Sequence, residues 1–229
     1  MKLLVLDTST EWCSAALWLD GSIQARRILA EQRHSSLLLP MVDELLREAD
    51  LALRQIDGIG YGAGPGSFTG LRIACAVTQG LAFGADLPVV GISTLESIAE
   101  QTRADRVLTV LDARMAEVYW AAYRRDGAGW RAVIAPQLAL PESVVVPGDG
   151  GWVGAGNGFV ALGNLLRPRL AAQLARIDDT LMPDAAAMAT LAARAFERGE
   201  GMDAALAAPI YLRDKVALTV DERRARHPA

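Results

Sequence analysis

The sequence KLLVLDTSTEWCSAALWLDG, residues 2–21, recurs in altered form as VLTVLDARMAEVYWAAYRRDG, residues 107–127. Asp112 follows Asp7 by 105 positions, and Asp126 follows Asp20 by 106. A slack of one residue over such a span indicates a duplicated unit. We therefore expect two lobes of similar topology.

The first unit predicts alternating strands and helices. Apolar runs favour strands at 3–7 and 13–19, and the turn at 19–21 leads into a third strand at about 23–29. A helix follows with Leu38, Val42 and Leu45 on one face. Further segments are a strand at 58–61, a helix at 68–83, a strand at 88–92 and a helix at 95–101. The predicted order is βββαβαβα.

The first helix also carries start signals. Ser35 or Ser36 can cap it, and Pro40 must then lie in the first turn or bend the helix. The second unit is less regular, with a Pro/Gly-rich stretch at 141–159 and a helix at 184–199. A boundary near Arg103 gives an N-terminal lobe, 1–102, a C-terminal lobe, 103–229, and a cleft between them.

Composition sets broad limits. The chain has 229 residues, of which 52% are hydrophobic and 22% charged, as in ordinary globular proteins. The net charge of -4 argues against a large electrostatic grip on nucleic acid by this chain alone. Cys13 and Cys75 read as small apolar fillers, and no run is long enough for a membrane span. We expect a cytoplasmic protein with no membrane contact.

The C-terminal segment, about 209–229, leaves two alternatives. It either packs back on the N-terminal lobe or frays. Its last residues include Arg223, Arg224 and Arg226, which form either a solvated tail or a binding arm.

The loop GAGPGSFTG, residues 62–70, joins a strand to a helix and is typical of either an anion site or a tight turn. Backbone N–H groups at a helix N-terminus attract anions. No Lys-Ser or Lys-Thr pair closes the loop as in a Walker A motif, and Arg72 is the nearby cation. Gly64, Gly66 and Ser67 are the loop's candidates for a weak anion or nucleotide site.

The hairpins that follow the first strand of each unit are also relevant to a possible nucleotide site. Paired-lobe phosphotransferases wrap nucleotide phosphates with these hairpins and hold a metal with an aspartate at the strand end. Asp7, Thr8 and Ser9 supply such groups in the first unit, although Asp7 serves equally well to end a strand. The second hairpin, DARMAE, has neither glycine nor hydroxyl, which disfavours nucleotide binding there.

The helix at about 68–84 is apolar or small on nearly all sides. Such a helix needs cover on more than one face. Either the chain's own core covers it, or it forms a partner surface with the preceding helix at about 36–50. The residues predicted for that surface are Leu38, Met41, Val42, Leu45, Gly70, Ala74, Val77 and Leu81.

Four motifs, LDTST, GAGPGSFTGLRI, DARMAEVY and PIYLR, together resemble the TsaB (YeaZ) family of bacterial tRNA threonylcarbamoyladenosine biosynthesis proteins. The resemblance extends over nearly the whole chain, while VGAGNGF at 153–159 matches loosely. It implies a two-lobed α/β fold of the actin, Hsp70 and sugar-kinase-like (ASKHA) class. It also implies a subunit of the complex that adds threonylcarbamoyl to the adenosine 3′ of the anticodon in ANN-decoding tRNAs.

Within that complex, the resemblance implies a non-catalytic partner of a TsaD-type catalytic subunit. A TsaE-type ATPase and tRNA are then reached through the complex. From the two-helix surface we expect a homodimer when the partner is missing. TsaD-type proteins carry an H-x-x-x-H metal motif, whose histidines fall here on Thr94 and Ile98. The two histidines, His34 and His227, are too far apart in sequence for the usual ligand pair. We predict no catalytic residue, metal or cofactor.

Two other functions stay open. An ATPase or kinase of the same fold requires intact phosphate hairpins in both lobes. A peptidase requires a nucleophile or metal motif such as H-E-x-x-H or G-x-S-x-G, which the sequence lacks.

Overall fold

A computed structural model describes residues 1–148 and 150–213. The first unit forms a five-stranded mixed sheet in the order β3-β2-β1-β4-β5. Strands β1, β2 and β3 are antiparallel, and β1, β4 and β5 are parallel. The observed elements confirm the predicted βββαβαβα order: β1 Lys2–Asp7, β2 Trp12–Leu19, β3 Ser22–Leu29, α1 His34–Glu48, β4 Gly58–Gly64, α2 Phe68–Ala85, β5 Val89–Ser93 and α3 Thr94–Gln101.

The second unit repeats this sheet in the equivalent order, β10-β9-β6-β7-β8. Between β8 and β9 the described residues form a 3-10 turn, Pro141–Ser143, where the first unit has α1. The β-branched Val144 and Val146 fill the core there instead. The elements are β6 Arg106–Asp112, β7 Val118–Asp126, β8 Gly129–Ala139, β9 Trp152–Ala155, α4 Gly158–Ala161, α5 Gly163–Leu170, β10 Leu174–Asp178 and α6 Ala185–Glu197.

The last helix of each unit crosses to the other unit's sheet. Helices α1 and α2 cover one face of the first sheet, and α6 covers the opposite face. Helix α3 packs on the second sheet, whose other face carries α4 and α5. Because α3 and α6 also contact each other between the sheets, residues 1–102 and the described residues of 103–213 share their cores.

The start of α1 differs from the prediction. The helix begins at His34 with Arg33 as its N-cap and no side-chain cap bond. Ser35 and Ser36 lie inside the helix, where the Ser36 hydroxyl donates to the Arg33 carbonyl at 2.9 Å. Pro40 also lies inside. The buried stripe of α1 keeps the helix continuous past the proline, since packing outweighs the missing backbone bond.

Helix α2 matches its predicted start. Ser67 is its N-cap, and the Ser67 hydroxyl accepts a bond from the Gly70 N–H at 3.3 Å. No helix in the described part of the chain is long and apolar enough to cross a membrane.

After α6 the chain returns to the first sheet. Residues 208–213 are extended, and we call them the C-terminal strap. The Ile210 N–H donates to the Ala63 carbonyl at 2.7 Å. Residues 209–211 of the predicted 209–229 segment thus lie against the N-terminal lobe. Arg223, Arg224 and Arg226 lie outside the described residues.

Candidate functional site

The glycine-rich turn packs tightly on the first hairpin. The Ser67 N–H donates to the Ser9 carbonyl at 2.7 Å, and the Thr8 hydroxyl donates to the Gly70 carbonyl at 2.7 Å. A Cβ on Gly66 would stand 2.5 Å from the Ser9 carbonyl oxygen. Gly66 therefore allows backbone to approach backbone within the chain. The polar groups that were predicted to face an anion form hydrogen bonds with each other instead.

Asp7 ends β1 and is fully buried. Its carboxylate accepts bonds from the Ser9 N–H at 3.3 Å and the Ser9 hydroxyl at 3.1 Å. Burial raises the pKa of Asp7 to about 7, and the Ser9 bonds offset part of that rise. The carboxyl lies against Gly62 of β4, where a side chain would overlap it. Asp7 is thus a core group beneath the cleft.

The second hairpin joins β6 to β7 through Arg114, Met115 and Ala116, all of which have positive φ angles, 63°, 57° and 60°. Non-glycine residues rarely adopt this conformation because Cβ crowds the backbone. The turn is held by the Arg114 N–H, which donates to Asp112 Oδ1 at 2.8 Å. Asn157 in turn accepts a bond from the Asp112 N–H at 2.9 Å.

Arg213 of the strap clamps this hairpin. Its Nη2 donates to the Ala113 carbonyl at 3.0 Å, and its Nη1 lies 2.6 Å from Glu117 Oε2. On the other lobe, Arg72 donates to the Tyr211 hydroxyl at 2.9 Å. The strap therefore ties the start of α2 to the second hairpin, a role that the PIYLR motif did not reveal in the sequence.

A cleft of about 660 Å³ lies between the hairpins, the start of α2 and the strap. Its lining carries carboxylates on Glu11, Glu31 and Asp112, and cations on Arg114 and Arg213. Carboxylates and cations are thus mixed, which gives the cleft no clear preference for an anion. Among residues 1–148 and 150–213, no three His, Cys, Asp or Glu side chains form a metal-binding group.

The residues predicted for the weak anion site do come together at this end of the cleft. Ser9, Gly66 and Ser67 line it. Thr8 is buried, and Gly64, with φ 124°, packs against the Ile210 carbonyl. The contact between the first hairpin and the glycine-rich turn brings these residues together.

The residues predicted for the partner surface lie mostly inside the chain, which corrects the composition of that surface. Val77 and Leu81 are half-buried. The others face the chain's own first sheet, because the apolar stripe of each helix covers it: Leu38, Met41, Val42, Leu45, Gly70 and Ala74.

The outer face of α2 is formed by neighbouring residues that sequence reasoning missed. Ala76, Gly80 and Gly84 are exposed, and Phe83 is 60% exposed beside them. A Cβ added to Gly80 or Gly84 would meet nothing within 4 Å. Glycine inside a helix costs about 1 kcal/mol relative to alanine. Packing among residues 1–148 and 150–213 therefore gives no reason for these two glycines, and their four-residue spacing after Ala76 was the available sequence signal.

Comparison with known proteins gives consistent results. The family model for TsaD, tRNA N6-adenosine threonylcarbamoyltransferase, matches residues 28–219. The tRNA threonylcarbamoyladenosine biosynthesis protein TsaB of Escherichia coli K12 is 40% identical over 95% of this chain and 96% of its own length.

Two solved structures from Pseudomonas aeruginosa are also similar. One, an uncharacterized protein with similarity to peptidase YEAZ, is 41% identical with a TM-score of 0.86 over 93% of this chain and 99% of that one. The other, YeaZ, is 40% identical with a TM-score of 0.83 over 92% and 99%. The predicted two-lobed ASKHA-type α/β fold is thereby confirmed. With this fold, this identity and this coverage, the chain belongs to the TsaB (YeaZ) family of tRNA threonylcarbamoyladenosine biosynthesis proteins.

Proposed function

We propose that this protein is a non-catalytic subunit in tRNA threonylcarbamoyladenosine biosynthesis that binds a TsaD-type catalytic subunit through the outer face of α1 and α2. The TsaB relatives support the pathway, and the match to the TsaD family model supports a partner of similar fold. Two subunits with equivalent helix pairs can associate through a four-helix contact. The same face then accounts for a homodimer when the partner is missing.

The observation that carries the proposal is the pair Gly80 and Gly84 on an exposed helix face. A residue type that weakens the isolated helix and packs against nothing in the described part of the chain is explained if another backbone approaches there. Phe83, 60% exposed between them, supplies an aromatic anchor of the kind that dominates protein interfaces. Leu39 of α1, 48% exposed, adds apolar area to the same layer.

Three features support a non-catalytic role. The polar groups of the first hairpin are bonded within the chain, and Asp7 is buried beneath it. The second hairpin is occupied by Arg213. Thr94 and Ile98 stand where TsaD-type proteins carry metal-binding histidines, and both are buried. A TsaE-type ATPase then joins through the assembled complex.

The experiment is sedimentation of Gly80→Glu with a TsaD-type subunit. Open space around Gly80 lets the fold accept the new side chain. A carboxylate buried in the interface without a partner should weaken association by several kcal/mol. Ala161→Glu is the matched control, since Ala161 is an exposed helical residue of the other lobe.

We expect Gly80→Glu to melt at or above the parental temperature, because a helical glycine is replaced, and to lose both the heterodimer and the homodimer, while Ala161→Glu keeps them. Parental affinity in a folded Gly80→Glu protein would refute the proposed surface. Turnover of ATP by the chain alone would instead favour the ATPase alternative.

A further inference from the structure

Three arginines lie side by side across the second sheet. Arg106 of β6 is directly opposite Arg124 of β7, and Arg124 is directly opposite Arg131 of β8. Residues opposite each other in neighbouring strands share a face of the sheet, with their Cβ atoms about 5 Å apart. We call this row the arginine ladder. Arg124 and Arg131 are exposed and Arg106 is half-buried.

No carboxylate pairs with the ladder among residues 1–148 and 150–213. None of its arginines forms an ion pair within 4 Å there. Asp126, two positions beyond Arg124 on the same face, makes no ion pair with it. The polar contact of Arg106 is one long bond, from Nη1 to the Gly150 carbonyl at 3.4 Å.

The adjacent Arg125 shows the contrast. Its side chain points to the opposite face, where it lies 2.8 Å from Glu100 and stacks 3.9 Å from the Trp130 ring centroid. Like charges directly opposite each other destabilise a sheet. The ladder therefore weakens the free protein, and a bound anion would remove that penalty.

We infer that the arginine ladder binds the phosphate backbone of RNA. The guanidinium group is a planar fork that matches phosphate oxygens, and three of them at strand spacing present a short row of phosphate contacts. An acidic protein fits less well, because interfaces between proteins centre on large apolar anchors. On β6, β7 and β8 the one exposed large apolar side chain is Val133, 41% exposed, and valine is under-represented among such anchors.

This inference rests on the proposed function for the identity of the RNA, namely tRNA. It goes beyond it by giving this chain a direct contact through its C-terminal lobe. The net charge of -4 is compatible with this, because the contact is local and three phosphates make a modest contribution that adds to those of other subunits.

The test measures tRNA binding against salt concentration for the chain alone at low salt and for its complex with a TsaD-type subunit. The variants are Arg124→Gln and the triple Arg106→Gln, Arg124→Gln, Arg131→Gln. Arg54→Gln is the control, since Arg54 is exposed on the other lobe. Each phosphate contact contributes about 0.7 to 0.9 to the slope of log K against log salt. We expect Arg124→Gln to flatten the slope by about 1 and the triple variant by about 2 to 3.

Both variants should melt at or above the parental temperature because the repulsion is relieved, while Arg54→Gln leaves tRNA binding unchanged. Parental slope and affinity in the folded triple variant would overturn the inference. So would a loss of TsaD-type association with unchanged tRNA binding, which would assign the ladder to a protein partner. Ladder-dependent binding by the chain alone, without any TsaD association, would uphold the ladder and refute the proposed function.

Discussion

Gly70 lies so close to Thr8 that a side chain on the glycine would overlap the threonine carbonyl oxygen, while the Thr8 hydroxyl donates to the Gly70 carbonyl at 2.7 Å. These two contacts hold the start of α2 against the first hairpin. The glycines at 66 and 70 serve this contact, and those at 80 and 84 face outward into open space. One helix thus uses glycine for two physical reasons.

This difference predicts opposite effects for the same substitution. Gly70→Ala should destabilise the protein by about 1–3 kcal/mol or more, because the backbone of the hairpin must move. Gly80→Ala should stabilise it by about 0.5–1 kcal/mol, because a helical glycine is replaced without contact. Urea unfolding of both proteins measures the free energies. Equal effects of the two substitutions would contradict the packing described for α2.

The buried Asp7 predicts a pH-dependent stability. Its pKa rises from an ordinary 3.8 to about 7 on folding. Between these values the folded state keeps the proton and the unfolded state releases it, so the free energy of unfolding should fall as pH rises from about 4 to about 7. The fall from this group is on the order of 4 kcal/mol.

Asp7→Asn should therefore be more stable than the parent at pH 8 and nearly equal to it at pH 4. Glu96, whose pKa burial also raises to about 7, adds a fall of the same sign, so the difference between Asp7→Asn and the parent isolates Asp7. Denaturant unfolding across pH 4–8 provides the measurement. A difference that stays constant with pH would show that Asp7 is ionised throughout.

Arg213 should hold the second hairpin in its left-handed turn. Arg213→Gln removes the ion pair with Glu117, so the amides of Ala113 and Glu117 should exchange hydrogen faster than in the parent. Adding Ala116→Gly to Arg213→Gln should restore part of the protection. Glycine adopts a φ of 60° without the penalty of about 1 kcal/mol that alanine meets there. Unchanged exchange in Arg213→Gln would show that the strap does not stabilise the hairpin.

The mutual bonding of the cleft's polar groups predicts little catalysis by the isolated chain. ATP hydrolysis should stay well below about one turnover per second, the lower end of ordinary enzymes. Phosphate release by the purified protein measures the rate of ATP hydrolysis. The Arg213→Gln protein is the control, because it shows whether removing the Arg213 contacts allows the cleft to hydrolyse ATP. Turnover at or above that rate in either protein would contradict the proposed non-catalytic role.

Much of the fold was predictable because its signals are local. The repeat of Asp7 at Asp112 gave two units, and apolar runs gave the strands within a few residues. The exchange of α3 and α6 was not predictable, since an apolar stripe such as Leu95, Ile98 and Ala99 does not say which sheet it covers.

The site shows the same limit. The apolar character of α2 predicted cover on two sides, but the sequence could not say which side was the chain's own, so Ala74 was placed on the surface although it is fully buried. The clamp by Arg213 joins residues 100 positions apart and had no sequence signal. Gly80 and Gly84 can be read directly from the sequence. Only the structure shows that a side chain at either position would meet no described residue, which distinguishes a partner surface from close packing within the chain.

A reconstituted tRNA modification assay tests the central claim, that the outer face of α2 recruits the TsaD-type subunit. The assay measures threonylcarbamoyl transfer to tRNA while the concentration of this protein is raised. With Gly80→Glu, half-maximal transfer should require at least about 100-fold more protein than the parent, which corresponds to a loss of about 3 kcal/mol, and the plateau should be approached at saturation. Ala161→Glu should follow the parental curve. Parental dependence in Gly80→Glu would contradict the account.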